Sequence, residues 1–120
     1  MIGNCVLVVE ADEIVAGKMC KVFEQRGCEV DTCSHGRDAF KLAMASDYDL
    51  ITVNVKIPDM DGCLIVESIS MVKPSVRILL VSAAFDSTLN IKRAVEKAVA
   101  TISLPLQAEE LSDVLEPLGI

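Results

Sequence analysis

Short apolar runs, each followed by an amphipathic segment, recur along the whole chain. The first run, Cys5–Val9, is rich in β-branched residues and has no polar side chain, which is typical of a parallel strand buried on both faces. After it, Asp12 is a good helix N-cap, and apolar side chains then recur at helical spacing until Gly27. The alternation predicts strands at Cys5–Val9, Cys28–Cys33, Tyr48–Asn54, Val76–Val81 and Ala98–Ser103. It predicts helices between Asp12 and Gly27, at Asp38–Ala45, at Cys63–Val72, from Asp86 or Ser87 to Lys97, and at Gln107–Glu116.

Strict alternation of strands and helices with short connections predicts an α/β domain. The strands should be parallel, with right-handed crossovers and helices on both faces of the sheet. Five strands of this kind commonly form a three-layer, flavodoxin-like (βα)5 fold with strand order 2-1-3-4-5, and ligands then bind at the carboxyl ends of the strands. We expect a single domain over residues 1–120. Its strand ends lie at Val9–Ala11, Val53–Asn54, Val81–Ser82 and Ser103–Leu104.

The charge of the chain narrows the choice of partners. Its formal net charge is −7, with 18 acidic and 11 basic side chains. A surface this acidic repels the phosphates of nucleic acids and of anionic lipids, so we expect neither nucleic-acid binding nor membrane docking. Protein partners are favoured, and one of them could be a second copy of this chain in a homodimer. No signal-peptide pattern or membrane-length apolar run is visible, which predicts a cytoplasmic location.

The cysteines have two interpretations. The five cysteines are Cys5, Cys20, Cys28, Cys33 and Cys63. Their number is odd, no CxxC pair occurs, and the single histidine is not spaced from a cysteine as in a zinc finger. Apolar neighbours favour buried thiols in a reducing compartment. A redox-sensing role is the alternative, although nothing in the sequence indicates a lowered thiol pKa.

Four segments carry a resemblance to a known family. They are LVVEADE at Leu7–Glu13, DLITVNVKIPDMDG at Asp49–Gly62, ILLVSA at Ile78–Ala83 and LPLQAEEL at Leu104–Leu111. Over nearly its whole length the chain resembles the receiver domains of two-component response regulators. The resemblance implies a signalling domain, and it places Pro105 where the family often has a cis peptide bond.

Receivers of this family use five side chains for phosphotransfer. Two acidic residues after the first strand hold Mg²⁺, an aspartate at the end of the third strand accepts the phosphoryl group, a Ser or Thr ends the fourth strand, and a Lys ends the fifth. Cations are needed because an anionic nucleophile and an anionic phosphate repel each other. The resemblance implies that these roles fall at Glu10, Ala11, Asn54, Ser82 and Leu104.

Three of these five positions lack the required chemistry. Ala11 has a methyl group in place of the second carboxylate, Asn54 cannot form an acyl phosphate, and Leu104 removes the positive charge. Thr101 also stands where the family usually has an aromatic switch residue. The losses are consistent with one another, since a lysine near the core would have no phosphate to pair with. We therefore expect a degenerate pseudo-receiver with no catalytic residue, no bound metal and no cofactor.

Lys56 is a further polar residue near the expected site. It lies two residues after Asn54, so it faces the same side of an extended segment. Its ammonium could reach Glu10 and replace the missing Mg²⁺. The alternative, which is the more common situation for a loop lysine, is that it is solvated.

Other polar residues in this region have structural interpretations. Asp59 and Asp61 are predicted to cap the helix that follows Gly62. His35 is predicted to lie in a turn at Ser34–Gly36.

The leading hypothesis is a signalling module that works without phosphorylation. Active receivers present a face built from the fourth helix, the fifth strand and the fifth helix, and sequence can hold such a face in one state. Lys92, Arg93 and Lys97 give the fourth helix a basic edge that could steer a partner, although an ordinary solvated face is an equal alternative. A second hypothesis is a sensor that binds a small ligand in the vacated pocket or uses thiol redox chemistry. An enzyme is disfavoured, because the sequence has no glycine-rich phosphate loop, triad spacing or metal cluster.

Overall fold

The computed structural model describes residues 3–120, and over that range five strands alternate with five helices. The strands are β1 (Cys5–Val9), β2 (Glu29–Cys33), β3 (Leu50–Asn54), β4 (Ile78–Ser82) and β5 (Ala100–Ser103). The helices are α1 (Glu13–Gln25), α2 (Gly36–Ala45), α3 (Gly62–Val72), α4 (Leu89–Lys97) and α5 (Ala108–Leu115), and a 3₁₀ turn at Glu116–Leu118 follows α5. Every predicted strand and helix is therefore present, with small shifts at the ends.

All five strands are parallel and lie in the order β2-β1-β3-β4-β5. This confirms the predicted three-layer flavodoxin-like fold. Helices α2, α3 and α4 pack on one face of the sheet, and α1 and α5 pack on the other. The chain adds β2 on one side of β1 and then crosses to the other side of β1, where it adds β3, β4 and β5 in turn. That change of side opens a crevice at the carboxyl ends of β1 and β3.

Burial follows the apolar pattern of the strands. Every residue of β3 and β4 is buried, and so is β1 after Cys5. The edge strands β2 and β5 are partly exposed, which agrees with the alternating pattern of the second predicted strand. The buried polar side chains of the described chain are Glu10, Thr52, Asn54 and Ser82. Three of these four lie at the carboxyl ends of strands, so burial itself points to that edge of the sheet.

The cap of α4 differs from the prediction. Asp86 and Ser87 were the expected caps, but Thr88 Oγ1 accepts the hydrogen bond from Ile91 N at 3.5 Å. The Asp86 carboxylate instead accepts from Thr88 N at 2.9 Å. The hydrogen bonds from Thr88 lower the pKa of the Asp86 carboxyl. Asp86 therefore positions the capping residue without capping the helix itself.

The two aspartates of the loop after β3 cap different helices. Asp61 caps α3 as predicted, because its Oδ1 accepts from Cys63 N at 2.9 Å. The same prediction for Asp59 is wrong. Its two oxygens accept from Gly36 N at 2.8 Å and from Arg37 N at 3.1 Å, at the start of α2. The hydrogen bond from Gly36 makes the largest contribution and lowers the pKa of the Asp59 carboxyl; burial opposes it, and the bond from Arg37 adds to the lowering. The loop after β3 is thereby tied to α2.

Two glycines allow close packing around this loop. A Cβ at Gly62 would collide with the carbonyl oxygen of Asn54, so only glycine permits α3 to begin directly beside the end of β3. A Cβ at Gly36 would lie 2.8 Å from side chains of the loop and of α3. This contact brings the first turn of α2 within reach of Asp59. Helix α2 consequently begins at Gly36, earlier than the predicted Asp38.

Candidate functional site

Six of the positions singled out from the sequence line one cavity at the carboxyl ends of the strands. The cavity measures about 830 Å³. Its walls include Glu10, Ala11, Asn54, Lys56, Ser82 and Leu104. The sheet brings these residues together because parallel strands present their carboxyl ends at one edge.

Glu10 and Asn54 form a buried hydrogen-bonded pair in this cavity. Only 6% of Glu10 and 8% of Asn54 is exposed. Asn54 Nδ2 donates to Glu10 Oε1 at 2.7 Å, and the backbone N–H of Asp12 donates to Glu10 Oε2 at 3.1 Å. Each carboxylate oxygen therefore has an N–H donor. Hydrogen bonds from neutral groups thus stabilise the buried carboxylate where a cation would otherwise be needed.

The loop after β3 fixes the orientation of the Asn54 amide. Asn54 Oδ1 accepts from the backbone N–H of Lys56 at 2.9 Å, while Nδ2 donates to Glu10. The side-chain amide supplies both the acceptor and the donor that this arrangement requires, which an ionised carboxylate cannot do. An ionised aspartate could accept from Lys56 but would present a second oxygen to Glu10. Asn54 is therefore a positioned donor, and an amide oxygen is not a useful nucleophile for phosphoryl transfer.

The Mg²⁺ ion implied by the resemblance does not fit these residues. Mg²⁺ requires oxygen ligands in near-octahedral geometry. Ala11 supplies none, Asn54 turns its NH₂ group toward Glu10, and both Glu10 oxygens accept N–H bonds. Asp12 serves elsewhere, since its Oδ1 accepts from Ile14 N at 2.9 Å and caps α1. Within residues 3–120, no group of three or more His, Cys, Asp or Glu side chains is placed to hold a metal ion.

Ser82 and Leu104 complete the lining. Ser82 Oγ donates to Ala84 O at 2.8 Å and accepts from Ala84 N at 3.1 Å, so the hydroxyl is engaged in a local turn. The role of Ala84 was not predicted from the sequence, although a serine that ends a strand before a short loop is a common signal for such a turn. Leu104 is half-buried against the core beneath α1 and α5. The Leu104–Pro105 peptide bond is cis, as the resemblance implied.

The side chain of Lys56 extends into solvent. The residue is exposed, and no ion pair or side-chain hydrogen bond joins its ammonium to Glu10 or to any other residue in the range 3–120. The oxygens of Glu10 are instead bound by Asn54 and Asp12. The structure thus agrees with the solvated alternative, and it is the backbone of Lys56 that contributes to the site.

Thr101 lies outside the cavity. Its side chain is exposed on β5, and it borders a separate cavity of about 450 Å³ together with Phe85 and Ile91. Phe85 is half-buried against the core beneath α2, α3 and α4. It was not singled out from the sequence. The signal that could have identified it is a lone aromatic residue in the loop after β4, in a chain with only 3% aromatic residues.

The exposed surface of α4 carries three basic side chains and one acidic side chain, Glu96. Lys92, Arg93 and Lys97 are all exposed on this helix. In the part of the chain that the structure describes, the ion pairs are Arg26–Glu116 and Lys73–Asp47, so these three cations have no anionic partner. Unpaired basic groups in a chain of net charge −7 create a local positive field.

Among the helices of residues 3–120, none has the length and apolar character needed to cross a membrane.

None of the thiols has the lowered pKa of a reactive cysteine. All five cysteines are free. Burial raises the pKa of Cys33 to about 11 and that of Cys63 to about 12, with a further contribution from nearby carboxylates. Burial also raises the pKa of Cys5, Cys20 and Cys28. Since the thiolate is the reactive form, a raised pKa lowers the reactive fraction of each thiol at neutral pH.

Sequence comparisons place most of the chain in one group of proteins. The model of the family described as the response regulator receiver domain matches residues 6–116. Among individual relatives, the transcriptional regulatory protein CusR of Escherichia coli (strain K12) is 32% identical over 77 residues, which are 64% of this chain and 34% of that protein. The chain spans less than half the length of the first relatives it matches.

Solved structures share the architecture. A response regulator receiver domain protein from Methanospirillum hungatei JF-1 superposes with a TM-score of 0.87 at 21% identity, covering 97% of this chain and 94% of that chain. A second similar structure is a streptococcal protein described as belonging to a family of redox sensors that evolved from two-component response regulators. It superposes with a TM-score of 0.86 at 26% identity, covering 97% of this chain and 51% of that chain.

Proposed function

This chain belongs to the response regulator receiver domain family, and from that premise we propose that it signals by binding a protein partner without accepting a phosphoryl group. Receiver domains are signalling domains that act through partner proteins. The observation that carries the proposal is the buried hydrogen bond between Asn54 and Glu10. It places an amide donor where phosphotransfer requires a carboxylate nucleophile.

The electrostatics of the cavity support the same proposal. An incoming phosphoryl donor would approach the buried carboxylate of Glu10, and Ala11 and Leu104 supply neither a metal ligand nor a cation. Two like unit charges roughly 4 Å apart near a protein surface repel by about 4 kcal/mol. The side chains that line this cavity offer only the exposed Lys56 ammonium as an opposing charge, and it does not contact Glu10.

We expect the protein to remain unlabelled when it is incubated with Mg²⁺ and acetyl phosphate. The reason is that Asn54 cannot form an acyl phosphate, and the other oxygen-bearing side chains of the cavity, Glu10, Asp12 and Ser82, are engaged in hydrogen bonds within the protein. Intact-mass spectrometry measures the outcome. A receiver domain that retains its acceptor aspartate serves as the positive control under the same conditions. A stoichiometric adduct that hydroxylamine removes would contradict the proposal.

The partner surface that we propose is the face formed by α4, β5 and α5. Its basic edge, Lys92, Arg93 and Lys97, is free to attract a partner with an acidic patch. Thr101 lies on the same face and is exposed. Thr101 replaces the aromatic switch residue of the family, and Asn54 cannot carry a phosphoryl group. The sequence alone would therefore hold this face in one conformation.

We expect the double change Lys92→Glu and Arg93→Glu to abolish capture of the partner when the domain is used as bait in a lysate of its own cells. Charge reversal turns attraction into repulsion, and the loss should be greatest at low salt, where screening is weakest. The matched control is Lys18→Glu with Lys21→Glu, which makes the same change in charge on α1. Equal loss with both pairs would show that net charge, and not this face, governs capture.

The thiol redox sensor is a second candidate, favoured by the likeness to the streptococcal protein at 26% identity. The raised thiol pKa values oppose it, because redox-sensing cysteines have lowered pKa values and are accessible. Cys63 illustrates this, since it is only 1% exposed and its pKa is raised to about 12. Thiol titration of the native protein at neutral pH separates the two candidates. Rapid reaction of one cysteine with dilute peroxide would favour the redox sensor.

A further inference from the structure

An open apolar groove lies between α2 and α3, away from the cavity at the strand ends. It measures about 760 Å³. Its apolar lining comprises Phe40, Met60, Ile65, Met71 and Val72. Gly36 also lines the groove, and there α2 approaches Met60 and Ile65 so closely that a Cβ would lie 2.8 Å from their side chains. Helix α4 contacts the chain elsewhere on α3 and contributes no residue to the groove. The groove is therefore a separate surface from the partner face proposed above.

Helix α3 has few charged side chains, and it exposes apolar ones near both ends of its outer side. Glu67 is the only charged residue among the 11 residues of this helix. On the outside, Leu64 is 46% exposed, Met71 81% and Val72 57%. These positions are seven and eight residues apart, so they share one face of the helix. The turn between them carries the exposed Ser68 and the partly exposed Glu67. Met71 and Val72 border the groove, and such exposed apolar side chains on a surface helix mark a binding surface.

The rim of the groove on α2 is basic. Arg37 and Lys41 are four residues apart, so they lie on the same face of the helix, and both are exposed. Neither forms an ion pair with another residue in the described range. Asp59, the acidic residue of the lining, uses both carboxylate oxygens to bind the backbone of α2. The groove thus offers apolar contacts flanked by two free positive charges on a chain of net charge −7.

We propose that this groove binds an amphipathic helix of another protein that carries acidic residues along one edge. A small molecule is a poor match, because such sites bury most of the ligand, whereas Met71 and Val72 are too exposed to enclose one. A helix meets the geometry, since α3 extends about 16 Å, or roughly three turns. The apolar lining of the groove runs from Ile65 near the start of α3 to Met71 and Val72 at its end. Two methionines provide the adaptable contact that helix-binding grooves use.

The probe for this proposal is a phage-displayed library of helical peptides with randomised outward positions, selected on the intact domain. We expect enriched clones to carry apolar residues at i, i+3 or i+4, and i+7, with Asp or Glu beside them. In fluorescence anisotropy with a synthetic clone, Met71→Lys should weaken binding about tenfold or more. Val72→Lys should act in the same direction. Arg37→Glu with Lys41→Glu should also weaken binding about tenfold, most strongly at low salt.

Matched controls distinguish this groove from non-specific binding. Ile14→Lys changes an apolar residue of comparable exposure, 73%, on α1 at the other face of the sheet. Lys18→Glu with Lys21→Glu repeats the change in charge. Both controls should alter the dissociation constant by less than about twofold. All substituted side chains are exposed, and circular dichroism checks that each variant is folded.

Three results would overturn the proposal. The first is a selection without enriched clones, or clones without an acidic edge. The second is binding that the controls weaken as much as the groove variants do. The third is a dimer of the domain alone that Met71→Lys dissociates in sedimentation experiments, since the groove would then be covered by a second copy of this chain.

Discussion

Replacing Asn54 by aspartate is expected to destabilise the protein by about 2–3 kcal/mol at pH 8. The wild-type amide donates to Glu10 at 2.7 Å in a site where both side chains are more than nine-tenths buried. The variant puts a carboxylate oxygen at the position of that donor. Two buried carboxylates in contact cannot both ionise without repulsion, and one of them loses its only side-chain donor. Chemical denaturation at pH 8 measures the difference.

The destabilisation should depend on pH in a defined direction. In the variant, the two carboxyl groups share a proton more readily in the folded state than in the unfolded state, so at least one folded-state pKa is raised above the usual value of about 4. Stability from a raised carboxyl pKa is present below the unfolded pKa and is lost as the pH rises through the folded pKa. The variant should therefore approach wild-type stability near pH 4 and fall below it toward pH 8.

The control for this prediction is Asn90→Asp, the same substitution at an exposed position on α4. Within residues 3–120 its side chain forms one hydrogen bond, a long and exposed one of 3.4 Å to Asp61, so a change within about 0.5 kcal/mol is expected. If Asn54→Asp and wild type unfold identically at pH 8, the hydrogen bond to Glu10 does not have the role described above. Asn54→Asp alone should also remain unlabelled by acetyl phosphate, because no cation accompanies the new carboxylate.

The triple variant Ala11→Asp, Asn54→Asp and Leu104→Lys should acquire a response to Mg²⁺ that the wild type lacks. All three positions line the same cavity, next to Glu10. Without metal, three carboxylates repel, and the new lysine offsets only part of that repulsion, so the variant should unfold at a lower temperature than wild type. Mg²⁺ should then restore stability by binding the folded state, by about 2.7 kcal/mol at a concentration 100 times the dissociation constant.

Thermal unfolding with and without millimolar Mg²⁺, at constant ionic strength, tests this order of effects. The wild type serves as the baseline and should show no metal-dependent rise in unfolding temperature. The double variant Ala11→Asp with Leu104→Lys keeps Asn54 and should not be labelled by acetyl phosphate, whereas slow labelling is expected for the triple variant. A triple variant that neither responds to Mg²⁺ nor becomes labelled would mean that these positions do not form one site.

The fold was predictable because its strands are nearly uninterrupted apolar runs. Strands β3 and β4 are buried at every residue, and their only polar residues are Thr52 and the strand-ending Asn54 and Ser82, so their apolar pattern is hard to confuse with a loop. The residues at which these strands begin were harder to predict from the sequence. Tyr48, predicted to begin the third strand, precedes it, and its hydroxyl donates to Asp31 at 2.7 Å. A contact between residues this distant in sequence leaves no local pattern from which the start of a strand could be read.

Which residues line the cavity was also predictable from the sequence, but the hydrogen bonds among them were not. The resemblance put Glu10, Asn54 and Leu104 at strand ends, and parallel strands bring such ends together. That Asn54 would donate to Glu10, and that Lys56 would contribute its backbone and not its ammonium, depends on side-chain geometry. The cap that Asp59 gives to α2 is missed for the same reason, since the partners are 22 and 23 residues apart.

Hydrogen exchange of the α2 amides that bind Asp59 can report opening of the site. The amide hydrogens of Gly36 and Arg37 can exchange with deuterium only when Asp59 releases them. Asp59 belongs to the same loop as Lys56, whose amide holds Asn54 in place. Deuterium uptake at the first turn of α2 is thus a readout of loop opening beside the cavity. Arg37 also borders the groove between α2 and α3, so occupancy of that groove would be recorded by the same two amides.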